Sequence, residues 1–95
     1  MASYIAWYGK KRDRLRQIEH DFIDLLRTAP NPSTLAKVAE LLRSAHIRAL
    51  KARREYLSPC EKNAVAFQNR TREIQQWTNL PVEAIIQQYR DRLHA

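Results

Sequence analysis

The sequence predicts an all-α protein, a small bundle of about four helices forming a single domain over residues 1–95. Composition is the first reason. One glycine in 95 residues, with Ala, Leu, Arg, Gln and Glu abundant, favours helix nearly everywhere and leaves little from which to build a sheet. The second reason is punctuation, since proline-bearing breaks divide the chain at three places. The third is periodicity: between the breaks, apolar side chains recur every three or four residues.

The first predicted helix covers about residues 3–28, with Tyr4, Tyr8, Leu15, Ile18, Phe22, Leu25 and Ala29 forming a heptad seam in which Lys11 fills one slot. It stops at Ala29-Pro30-Asn31-Pro32-Ser33, where two prolines forbid continuation and Asn31 or Ser33 can cap the next helix. The second helix, about 34–57, repeats Leu35, Val38, Leu42, Ala45, Ala49, Ala52 and Tyr56, and its alanines permit close approach of a partner helix. At 1.5 Å per residue the two are about equally long, so a short turn between them makes a long antiparallel hairpin.

Ser58-Pro59-Cys60-Glu61 has the form of a capping box with proline in the first helical position, and opens a third helix at about 59–78. Its apolar positions are Cys60, Ala64, Phe67, Thr71, Ile74 and Trp77 or Thr78. Thr78-Asn79-Leu80-Pro81 ends it, and a fourth helix at about 82–94 carries Val82, Ile85, Ile86, Tyr89 and Leu93. This shorter pair is expected to cover the long hairpin. The second helix also carries a separate apolar stripe, Ile47, Leu50 and Leu57, which calls for a second partner: either the shorter pair or another copy of the chain.

Residues 73–85 read as helix, tight turn, helix, with Asn79 where glycine is common, and the pattern loosely resembles the turn of DNA-binding helix-turn-helix units. That resemblance implies Gln87, Gln88, Arg90 and Arg92 as readers of bases or phosphates. Gln75 departs from it, standing where a small residue is usual, and an ordinary helical hairpin explains the segment as well.

A formal charge of +7 and an isoelectric point near 10.1 favour polyanionic partners. The charge is unevenly spread. If the first two helices fold back at residues 30–31, Lys10 falls near Lys51 and Arg12 near Ala49. Two distant basic runs then meet: Lys10, Lys11, Arg12, Arg14 and Arg16 join Arg43, Arg48, Lys51, Arg53 and Arg54. Only Asp13 and Glu55 oppose them there, whereas the turn end carries Glu19, Asp21, Asp24 and Glu40.

The function this predicts is non-catalytic binding of DNA or RNA through the phosphate backbone, using those ten cations, with Trp7 available to stack on a base. The alternative is a helical protein-interaction module, or a small accessory or inhibitor protein, docking on an acidic protein surface and forming a homodimer through Ile47, Leu50 and Leu57. Tyr4, Tyr8 and Tyr56 lie on the seams and read as packing residues.

No enzyme chemistry is expected. His20, His46 and His94 fall on three different helices, no His or Cys pair has metal-ligand spacing, and Gly9 alone cannot make a phosphate loop, so neither metal nor cofactor is implied. Cys60 has no disulfide partner, which fits a reducing, cytoplasmic setting. The apolar run at residues 4–8 is too short to span a bilayer, and its basic residues come after it rather than before it as in a secretory leader. A membrane is not an expected partner, because the seam already occupies the face that would insert.

Overall fold

The computed structural model describes residues 2–28, 30–57 and 64–94, and the side chains of 7–28, 30–55 and 64–94. It contains α1 (Ala2–Arg27), α2 (Pro32–Leu57), α3 (Ala64–Asn79) and α4 (Val82–Leu93), with no strand among the described residues. The protein is therefore an all-α bundle, 46 Å long and about half as wide. The capping box at Ser58 to Glu61, with Cys60, falls outside the described residues, and so do the side chains of Tyr4, Tyr56 and Leu57.

The turn after α1 is built locally. Both the backbone amide and the hydroxyl of Thr28 donate to the Leu25 carbonyl, at 3.2 and 3.0 Å, closing the last turn of α1. Asn31 then caps α2: its side-chain oxygen accepts from the Thr34 amide at 2.8 Å, and its carbonyl accepts from the Leu35 amide at 3.2 Å. Pro32 takes the first helical position, where its missing N–H costs nothing. Of the two capping candidates, Asn31 is the one used, so α2 begins two residues earlier than expected.

α1 and α2 pack along most of their length, α3 lies along α2, and α4 sits against both α2 and α1. The two shorter helices pack on the long pair far more than on each other, so they cover it separately rather than as a closed hairpin. Pro81, extended at φ −62° and ψ 148°, starts α4, and its carbonyl accepts from the Ala84 and Ile85 amides. The main core is Phe22, Leu35, Ala39, Leu42, Ile85 and Tyr89, with Leu35 and five fully enclosed residues contributed by three helices.

α2 is the central element, and its buried stripe is correspondingly wide. Ala39, Ala45, Ala49 and Ala52 are buried along it, and so is Leu50. The face of α2 toward α3 carries Arg43, His46 and Arg54, which reach Trp77, Thr78 and Thr71 of α3. His46 stacks on the Trp77 indole with ring centroids 4.0 Å apart, and its Nδ1 is buried without a hydrogen-bond partner.

α4 is tethered by a buried tyrosine. Tyr89 meets Phe22 edge-on at 5.4 Å, and its hydroxyl donates to the Glu19 carboxylate of α1. Arg92 completes the group, lying 4.5 Å over the Tyr89 ring and 3.5 Å from the same carboxylate. Burial, together with the bond to Glu19, pushes the Tyr89 phenol well above its ordinary value, so the proton stays on the donor.

Two stability predictions come from this core. Tyr89→Phe keeps the ring packing but removes the bond to a charged acceptor, and should lower stability by about 1.5–3 kcal/mol. A urea titration with an unchanged midpoint would show that the bond contributes nothing. The second concerns His46, whose imidazole is held below its ordinary 6.5 by burial, against the opposing pull of Glu19 and Glu73. The unfolded chain takes up that proton near 6.5 and the folded chain only at lower pH, so stability is complete above 6.5 and declines as pH falls below it. The urea midpoint should drop between pH 7.5 and pH 5, and His46→Gln should flatten that dependence.

Candidate functional site

The basic residues of the first two helices end up in two different situations. One group lines a cleft between α1 and α2. Lys10, Lys11 and Arg14 come from α1, Arg48 and Ser44 from α2, and the apolar part of the lining is Ile18, Leu41 and Ala45. The cleft has a volume of about 300 Å³ and no acidic residue in its lining. The antiparallel register explains the meeting, since the fold-back at residues 30–31 brings the region of Arg14 opposite the region of Ala45 to within about one helical turn.

Lys10, Arg14 and Arg48 are exposed and Lys11 is half-buried. Among the described residues, none of these four takes part in an ion pair. Arg16, Lys51 and Arg53 are exposed but outside the cleft lining, and on α1 the helical repeat turns Arg16 away from the face that carries Arg14 and Ile18. Arg12 is also outside the lining, 6.0 Å from the Tyr8 ring centroid and 4.0 Å from Asp13. Like charges so close repel by a few tenths of a kcal/mol for each helical pair, and a bound anion would relieve that repulsion.

The second group of arginines is committed to the fold. The sequence places Arg43 in the anion-binding set, yet its side chain is only 16% exposed. It donates to the Trp77 and Thr78 carbonyls at 2.8 and 3.0 Å and pairs with Glu40 at 3.2 Å. A guanidinium there satisfies carbonyls that the end of α3 leaves open and complements its dipole. Arg54 likewise bonds the Thr71 hydroxyl at 3.3 Å and lies 5.5 Å over the Phe67 ring. Both therefore face α3: Arg43 donates to Glu40 and to the two carbonyls, and Arg54 uses one donor on Thr71.

Trp7 is 37% exposed at the same end of the hairpin. Of the apolar stripe assigned to a homodimer, Leu50 is only 7% exposed and Ile47 is half-buried on the side of α2 that meets α3, leaving Leu50 little surface to offer a second copy. In the segment that resembles a helix-turn-helix, two of the four prospective reading side chains are engaged within the chain. The Gln87 amide donates to Asp91 at 2.8 Å and Arg92 is held by Glu19 and Tyr89. No described helix is long and apolar enough to cross a membrane.

What sequence reasoning missed is the cleft itself and its uncharged members. Ser44 and Leu41 carry no charge signal, and Leu41, 57% exposed, looks in sequence like one more apolar helix position. Its place off both seams was the available clue. Compared with known protein families, curated proteins and solved structures, the chain matches none of them.

The two groups of arginines should separate in a stability assay. Arg43→Met should lower stability by about 1–2 kcal/mol, since it uncovers the α3 carbonyls. Arg48→Met should change it by less than about 0.5 kcal/mol. Equal effects in thermal unfolding would contradict this division.

Proposed function

We propose that this is a non-catalytic nucleic-acid-binding protein that holds the phosphate backbone of DNA or RNA through the α1–α2 cleft and its basic surround. The observation that carries the reading is the convergence of Lys10, Lys11 and Arg14 with Arg48 around one concavity that contains no acid. Cations at such spacing replace the counterions condensed on a polyanion, and the release of those ions drives binding. Lys51, Arg53, Arg12 and Arg16 lie outside the cleft and add positive potential without a defined phosphate contact, while Arg43 and Arg54 are engaged with α3. A cytoplasmic setting goes with this reading, because Cys60 then stays a thiol.

Backbone binding of this kind has a characteristic salt response. With about four phosphates engaged, raising salt from 50 to 200 mM should weaken binding by roughly a hundredfold, as fluorescence anisotropy with a labelled oligonucleotide would report. Paired charge reversal, Arg14→Glu with Arg48→Glu, should abolish binding at 100 mM salt without unfolding the protein, because both side chains are exposed. Binding that survives that double variant, or that is insensitive to salt, would overturn the assignment.

A further inference from the structure

The shape of the cleft discriminates between kinds of nucleic acid. Reading duplex DNA calls for a projecting element, typically a helix that enters a groove about 12 Å wide. Here the arrangement is inverted: Lys10, Lys11, Arg14 and Arg48 line a trough between two helices together with apolar side chains. Helix axes in such a pair lie about 8–10 Å apart, so a duplex would bridge the trough rather than enter it. A single strand is thin enough to enter.

The apolar part of the lining is what a backbone-only site would lack. Leu41 is a large apolar side chain left 57% exposed in the same cleft as the four cations, together with Ile18, Ala45 and the Ser44 hydroxyl. The volume, about 300 Å³, is at the small end of the range of ligand pockets, suited to a flat ring rather than an extended ligand. Grooves for single strands combine a positive track for the phosphates with aromatic side chains on which unstacked bases stack, and here aliphatic side chains take the second part.

We propose that the α1–α2 cleft is a single-strand site, in which one phosphodiester strand runs along Lys10, Arg14 and Arg48 while an unpaired base covers Leu41 and Ile18. This rests on the nucleic-acid reading above and adds a preference for single strands over duplex. Leu41 supplies the preference and the cations supply the affinity common to both forms. Ser44 can exchange a hydrogen bond with a base edge, without choosing among bases, since a hydroxyl both donates and accepts.

The test uses the full chain with labelled oligo-dT and oligo-U of about twelve nucleotides and a duplex of the same length, all at one salt concentration. Single strands should bind at least about tenfold more tightly than duplex. Leu41→Ala should weaken single-strand binding by about fivefold and leave duplex binding unchanged, which a general loss of folding could not produce. Because Leu41 is largely exposed, that variant should keep the wild-type thermal transition. Equal affinity for the two forms, or equal loss from both in Leu41→Ala, overturns the single-strand site while leaving charge-driven binding intact. Absence of binding to any oligonucleotide at low salt overturns both.

Discussion

Because Pro30 and Pro32 stop one helix and Asn31 caps the next, α1 and α2 have to run back along each other, and everything else in the molecule depends on that pairing. It brings Phe22 together with Leu35, Ala39 and Leu42, creating the apolar surface on which α4 places Ile85 and Tyr89. On another side the same pairing brings Lys11 and Arg14 beside Arg48. The core and the cleft are thus two sides of one helix pair, one closed by α4 and the other open.

That division accounts for how the cations are used. A guanidinium facing α3 finds the carbonyls at the end of that helix or a threonine hydroxyl within it, so Arg43 and Arg54 become structural. A cation facing the cleft meets apolar side chains, the Ser44 hydroxyl and further cations, with no carboxylate in the lining. Position around α2, and not residue type, separates the two roles. The concentration of charge opposes folding at the cleft, and the buried contacts that α3 and α4 make elsewhere on the hairpin offset it.

The polar groups inside the bundle act as fasteners between helices. Tyr89 and Arg92 converge from α4 on Glu19 of α1, and His46 of α2 lies flat on Trp77 of α3. Each contact joins elements that the short turns alone would leave free to rotate. A carboxylate can sit beside a buried tyrosine here because it has both a donor and a cation for its charge. His46 is the less satisfied fastener, with one ring nitrogen buried and unpaired, so protonation loosens this junction in particular.

The sequence by itself determined the number of helices, their breaks and the antiparallel sense of the first two, because prolines, caps and three-four periodicity act within a few residues and need no distant partner. It also determined that two basic runs would meet, since a short turn between equal helices fixes the register. Only the tertiary structure decided which cations of those runs remain available, because that depends on where α3 lies around α2, and no local signal specifies it. The same holds for Glu19, legible only as an acid near the turn until α4 brings Tyr89 against it. The Leu50 stripe has the same ambiguity in sequence: an apolar position records that something covers it, and only packing shows that α3 lies on that side of the chain.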